Sequence, residues 1–213
     1  EEIGQLAGFG YKFDEQGRQV FADDGRPLRS DEIKFYGSAL PKWIGGITNT
    51  VRYKDFNLSF LIDFKLGGKM ISGTNFNATR HGLHKMTLPG RETGVVGEGV
   101  NQAGEPNTVA TESQTYWEVV RSQQLIEPIV YNSGYWKLRQ VTLGYDFRKF
   151  IPEESPVKGV TLSFVANNVA MLKKWVPNID PDSFSFSSDN VSGLESTGVP
   201  TTRSIGFNLN VKL

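Results

Sequence analysis

His81 and His84, in the run Arg80-His81-Gly82-Leu83-His84, are the only two histidines of the chain. Histidines three apart ligate a metal when a helix aligns them and a third ligand joins them. No third ligand lies near in sequence, and the glycine-bearing segment around them reads as loop, so no metal is expected there. Asp180, Asp182 and Asp189 offer the carboxylate oxygens that calcium takes, but their spacing misses the EF-hand pattern and a solvated loop is the expectation. Glu112 with Glu118, and Glu153 with Glu154, are pairs of the kind any chain with 23 acidic residues contains. Glycoside hydrolysis needs two carboxyls converging at a defined separation, and nothing in the sequence brings these together. There is no G-x-S-x-G elbow, no Walker glycine loop and no G-x-G-x-x-G after a strand. The chain has no cysteine, which removes disulfides, thiolate metal sites and cysteine nucleophiles at once. Neither catalysis nor a cofactor is expected.

The aromatic side chains suggest binding instead. Tyr116, Trp117, Tyr135, Trp136 and Trp175 offer apolar ring faces that complement the C–H face of a sugar. Tyr135 and Trp136 stand at the end of a strand, where a membrane-interface girdle of aromatics belongs, and that reading is preferred for the pair. Tyr116, Trp117 and Trp175 are candidates for contact with a ligand or a lid, and for the first two, packing within a loop stays equally open.

Lysine plus arginine equal aspartate plus glutamate at 23 each, so no basic excess tracks a phosphate backbone and nucleic acid is not an expected partner. Aromatics at 12% and 23 glycines lean the chain toward strands and turns. No run of about 18 apolar residues marks a membrane helix. A barrel strand needs only about 9–11 residues and alternates its faces, which averages to a modest value such as the mean hydropathy of −0.34 found here.

The elements that would position these residues follow from period-two patterning. In Phe56 to Leu66, one parity carries Phe56, Leu58, Phe60, Ile62, Phe64 and Leu66, and the other carries Asn57, Ser59, Leu61, Asp63 and Lys65. That alternation defines a strand. A weaker strand near 47–55 precedes it across Lys54-Asp55, a connection so tight that the two form an antiparallel hairpin. Further strands are expected near 135–147, 160–168 and 202–213. The connections alternate between short ones, at Lys54-Asp55 and Arg148 to Gly159, and long ones at 1–45, 67–134 and 169–201. Transmembrane barrels show that asymmetry, with short periplasmic turns and long extracellular loops. Within the long loops, Ser113 to Leu125 reads as a short helix capped by Ser113, and Tyr11 to Leu28 as a polar hairpin.

Several blocks then resemble one family. Leu40-Pro41-Lys42-Trp43-Ile44-Gly45-Gly46, Arg52-Tyr53-Lys54-Asp55-Phe56 and Asp63-Phe64-Lys65-Leu66-Gly67-Gly68 are similar to the C-terminal barrel region of SusC/RagA-like TonB-dependent transporters. So are Leu138-Arg139-Gln140-Val141-Thr142-Leu143-Gly144-Tyr145, Asn167-Asn168-Val169 and Pro200-Thr201-Thr202-Arg203-Ser204. The resemblance implies an all-β fold: an antiparallel transmembrane β-barrel segment, about five strands of a larger plugged barrel, with extracellular loops at 1–45, 67–134 and 169–201. It implies import of oligosaccharides or peptides across the outer membrane together with a SusD-like surface lipoprotein, energised by TonB through an N-terminal part outside these residues. The C-terminus would be periplasmic, and the 213 residues would be a fragment, the C-terminal portion of the barrel. One departure is the final Leu213, where outer-membrane barrels commonly end in an aromatic residue.

On this reading Arg52, Asn57, Ser59, Asp63 and Lys65 face the lumen, and Phe56, Leu58, Phe60, Ile62, Phe64 and Leu66 face lipid. The alternative is a soluble β-sandwich carbohydrate-binding module, in which the same strands pack sheet on sheet. A glycosidase domain is a third class.

Overall fold

The computed structural model describes residues 4–183 and 193–213. Its frame is one sheet of five long antiparallel strands: β1 (Trp43–Tyr53), β2 (Phe56–Leu66), β3 (Tyr135–Asp146), β4 (Gly159–Lys174) and β5 (Ser204–Lys212). They pair in chain order, each with the next, as an up-and-down meander. The β1–β2 hairpin turns on Lys54, whose backbone is left-handed at φ 53, and Asp55. Asp55 also reaches the β3–β4 connection, accepting from the Asp146 amide and pairing with Lys149. Both short connections therefore lie together at one end of the sheet. The long segments leave from the other.

Register sorts the sheet into two faces. Tyr53, Val51 and Ile47 of β1 stand with Phe56, Leu58, Phe60, Ile62 and Phe64 of β2, and these with Tyr145, Leu143, Val141, Leu138 and Trp136 of β3. Leu162, Phe164 and Ala166 of β4, and Leu209, Phe207 and Ile205 of β5, continue the same face. Nothing among the described residues covers much of it: Trp43 is 70% exposed and Phe207 75%. Ring contacts run across it instead, with Phe56 edge-on to Tyr145 at 4.7 Å, Phe64 stacked on Trp136 at 4.5 Å and Phe164 against Phe207 at 5.7 Å.

The buried apolar core lies elsewhere. Phe21, Met70, Val119, Val120, Leu125, Ile129 and Val176 are its most deeply buried aliphatic and aromatic side chains, and none belongs to the sheet. The described parts of the stretches expected to be loops fold into a layer with α1 (Gly73–Arg80), α2 (Ser113–Trp117) and α3 (Val119–Ser122), joined by short strand pairs. Lys69–Ser72 pairs with both Val130–Asn132 and Leu194–Glu195, and Met70, Val176, Ile179 and Tyr131 pack around that junction. Gly97 and Gly99 lie against the Phe21 ring so closely that a Cβ at Gly97 would fall 2.1 Å from it. The segment 11–29 is a bridged hairpin, as Tyr11 to Leu28 was expected to be.

Three expectations need correction. The helix expected over Ser113 to Leu125 is two short helices, and Ser113 caps neither: Glu112 holds the N-cap position and the Ser113 hydroxyl donates to the Thr87 carbonyl. The strand expected near 160–168 runs on to Lys174, because a bulge at Asn168 lets pairing with β3 resume at Ala170. Tyr135 and Trp136 do not form a girdle pair, since consecutive strand residues point to opposite faces. Trp136 is on the apolar face and Tyr135 is buried on the other.

Candidate functional site

The polar face of the sheet carries a cluster of charges, and a backbone irregularity builds it. Along β3, Leu143 and Val141 stand opposite Leu58 and Phe60, whereas past Gln140 the partner of Ile62 is Leu138. Arg139 is left over as a bulge. On the other side the partners of Gln140 and Leu138 are Asn167 and Ala170, so Asn168 and Val169 share the irregularity. Asn168 is left-handed there at φ 51, a conformation that asparagine adopts more readily than most residues. A bulge re-aims side chains by one residue. Strict alternation would put Arg139, Lys137 and Tyr135 in phase with Val141 on the apolar face. The bulge turns all three to the polar one.

There they meet acids from β2 and from the segment after β4. The Lys137 ammonium donates to Asp180 Oδ2 at 3.0 Å, Asp182 Oδ2 at 2.9 Å and Thr201 Oγ1 at 2.6 Å, which uses its three protons. Arg139 donates through Nη1 to Asp182 at 2.6 Å and to Asn168 Oδ1 at 2.9 Å, and through Nε and Nη2 to Asp63 Oδ2. Tyr135 donates its hydroxyl to Asp182 Oδ1 at 2.8 Å. Lys137 is only 2% exposed, so this cation is stable there only because it is fully paired. Burial, the largest influence on both Asp180 and Asp182, favours their protonated forms. It is outweighed on Asp180 by Thr201, the Asp182 amide and Lys137, and on Asp182 by Arg139, Lys137 and Tyr135, so both carboxyls stay below the ordinary carboxylate range. The segment containing Asp180 and Asp182 is thereby fastened over the polar face of the sheet.

Glu195 forms a second tie. Its Oε2 accepts from the Ser72 hydroxyl and the Thr74 amide and its Oε1 from the Thr74 hydroxyl and the Thr197 amide, which joins 193–201 to the start of α1. Burial opposes its ionisation, but the Thr74, Ser72 and Thr197 hydrogen bonds together lower its pKa.

The candidates from sequence are distributed unevenly around this site. Asp63 is in it, with Oδ1 buried and unpartnered. Lys65 stands opposite Tyr135, its ammonium 5.9 Å from the ring. Ser59 pairs with Thr50 nearer the turn end, Asn57 keeps a buried carbonyl oxygen without a partner, and Arg52 stands opposite Asn57. All five share the polar face, though only Asp63 and Lys65 border the cluster. Tyr116 is 8% exposed inside the loop layer, which leaves it little surface for a ligand. Trp117 packs edge-on against Tyr116 and lines a pocket of about 580 Å³ with Arg80, His81 and Glu92. Trp175 is 40% exposed beside Lys173.

His84 is buried, its Nδ1 accepts from the Met86 amide, and burial lowers its pKa; His81 ends α1. No group of three His, Cys, Asp or Glu side chains suited to a metal occurs among the described residues. Asp189 lies outside the described residues. Asp180 and Asp182, expected in a solvated loop, are instead bound to Lys137 and Arg139. Those two cations were missed as site residues. The available signal was their position: charges in phase with Val141 and Leu143 mark a break in the alternation.

No family model matches the chain. A curated relative, "TonB-dependent receptor P3" of Formosa agariphila, is 22% identical over 204 residues, covering 92% of this chain and 19% of that protein. Among solved structures, the RagAB peptide importer in its "closed-closed" state superposes with a TM-score of 0.64 at 15% identity, over 97% of this chain and 23% of the other. The "open-open" state gives 0.63 at 13% identity. The chain thus spans about a fifth of the length of the proteins it matches. It is similar in sequence to a TonB-dependent receptor and shares its all-β fold with the RagAB importers, which is the resemblance to SusC/RagA-like TonB-dependent transporters read from its residues.

Proposed function

We propose that these residues form the C-terminal part of the barrel wall of an outer-membrane, TonB-dependent transporter that imports nutrients. The observation that carries this reading is the two-faced sheet. Five antiparallel strands carry one nearly uninterrupted, uncovered apolar face and one face bearing a buried charge network. Hydrocarbon is the solvent that suits the first, and a watery lumen suits the second. A soluble β-sandwich would need a second sheet over the apolar face, and none of the described residues supplies one.

On this reading Phe56, Leu58, Phe60, Ile62, Phe64 and Leu66 meet lipid, and Arg52, Asn57, Ser59, Asp63 and Lys65 face the lumen. The segments at 1–45, 67–134 and 169–201 are extracellular, with Leu213 in the periplasm. A SusD-like surface lipoprotein is the lid partner, and TonB engages a part of the protein outside this stretch. The cargo is a peptide or an oligosaccharide; the name of the RagAB peptide importers favours the peptide. The protein's work is binding and gating, not bond breaking.

Fractionation of cells expressing the full-length protein tests the proposal. It should sediment with outer membrane, resist extraction except by detergent and migrate faster unheated than boiled. Release into the aqueous phase would overturn the barrel reading, and turnover on a glycan panel would support the enzymatic alternative.

A further inference from the structure

Beside the charge cluster is a cavity of about 360 Å³ between β4 and the segment folded over it, lined by Lys137, Asn168, Lys174, Asp180, Thr201 and Arg203 among others. Its size is within the range of small-ligand sites. The hydrogen-bond inventory of its lining decides what could enter. On the acceptor side, both Asp180 oxygens are engaged: Oδ2 receives Lys137 and Thr201, and Oδ1 receives the Asp182 amide. Asn168 is committed through both ends of its amide, to Arg139 and to the Thr202 carbonyl. Asn178 donates to Asn75 Oδ1. On the donor side, the three Lys137 protons are used, as described above.

Two cations keep capacity. Lys174 makes one hydrogen bond, to the Ile179 carbonyl, of the three an ammonium offers. Arg203 makes none among the described residues, and its guanidinium has five donors in a fork that matches a carboxylate. Lys137, Lys174 and Arg203 against Asp180 leave the lining with two positive charges in excess; Asp182, behind the lining, pairs with Lys137 and takes up part of that excess, and the cations with protons to spare are Lys174 and Arg203. A neutral ligand would leave that excess uncompensated. A cationic one would add to it.

We propose that this cavity is a carboxylate-binding subsite, with Arg203 as the bidentate partner and Lys174 as the second cation, and with the Lys137 cluster as the fixed wall that positions them. The inference deepens the transporter reading and rests on it, since it makes the site part of the route an anionic cargo follows. The carboxylate could come from the C-terminus of a peptide or from a uronic acid of an oligosaccharide, and both present the same group.

The test uses the purified full-length protein in detergent and measures affinity for four probes: trialanine, trialanine C-terminal amide, trigalacturonate and its methyl ester. At least one acid should bind tenfold or more tightly than its neutral counterpart, and which acid does so identifies the source. In the double variant Arg203→Gln/Lys174→Gln, that preference should fall below threefold while the neutral probes bind as before. Both side chains lie at the cavity rim outside the Lys137 cluster, and unchanged heat-modifiable migration of the variant checks that it folds. Equal binding of acid and neutral forms, or a preference that survives the double substitution, overturns the subsite. Failure of the wild-type protein to reach the outer membrane overturns the transporter reading itself, which is a different result.

Discussion

Tyr135 and Trp136 are neighbours in sequence and belong to opposite sides of the sheet: the Tyr135 hydroxyl donates to Asp182 at 2.8 Å, while the Trp136 ring stacks on Phe64 at 4.5 Å. Their substitutions should therefore fail differently. Tyr135→Phe removes one hydrogen bond to a charged group, on the order of 1.5–3 kcal/mol, and should make the 175–183 segment easier for protease to nick on intact cells while leaving the amount of barrel unchanged. Trp136→Ala should lower the amount of folded barrel and leave nicking as it was. Identical phenotypes would mean that the two faces are not distinct.

Lys137 is the member of the cluster whose loss should cost most. Lys137→Met would leave Asp180 and Asp182 short of a partner in a site where that lysine is 2% exposed. Breaking a buried pair from one side typically costs about 3–5 kcal/mol. The variant should show rapid proteolysis of the 175–183 segment, and adding Asp180→Asn should restore part of the resistance by removing the stranded charge. Lack of any rescue would argue that packing, not charge, holds the segment down.

Acid should release the same segment. Asp180, Asp182 and Glu195 have pKa values held below their ordinary 3.8, 3.8 and 4.5. A carboxyl depressed in the folded state stabilises it above its ordinary pKa, and the contribution is lost as pH falls from there through the depressed value. Protease resistance of 175–183 and 193–201 should thus be flat above about pH 5 and decline below about pH 4. Asp182→Asn should weaken resistance at neutral pH and flatten the acid decline. A decline centred near pH 6.5 would point to histidine instead.

What was legible in the sequence divides along physical lines. The five sheet strands announce themselves because a half-buried strand writes its environment at period two, and Phe56 to Leu66 does so without interruption. The cluster is hidden because its partners are 43 and 45 residues apart and because the bulge at Arg139 shifts the phase that would have revealed its face. The loop layer is hidden for a related reason. Val20 and Phe21 pair with Val100 and Asn101, and Met70 packs with Val176, contacts between distant and locally aperiodic segments. Period counting sees local alternation, and these segments have none.

The ends of the strands give a topological prediction. Asp55 lies in the tight turn between β1 and β2 beside Lys149, and Gly104 lies in the long folded segment that leaves the opposite end of the sheet. With the short connections periplasmic, a cysteine placed at Gly104 should label with an impermeant maleimide on intact cells, and one at Asp55 only after permeabilisation. The reverse pattern would invert the orientation and put Leu213 outside.

Phe60 and Ser59 test the assignment of the faces at single-residue resolution. Phe60 stands opposite Val141 and Asn49 on the apolar face, and Ser59 opposite Thr142 and Thr50 on the polar one, with its hydroxyl 3.1 Å from that of Thr50. Both sit near the middle of β2, so on the barrel reading they would lie at nearly the same depth in the membrane. An arginine on the lipid face near the midplane costs about 2–4 kcal/mol, whereas a lumen-facing one meets water. Phe60→Arg should therefore reduce the amount of heat-modifiable barrel in the outer membrane several-fold, and Ser59→Arg should reduce it little. A soluble sandwich would also bury Phe60, so the comparison gains its meaning only alongside fractionation. Greater loss from Ser59→Arg than from Phe60→Arg would reverse the faces and, with them, the side on which the Lys137 cluster lies.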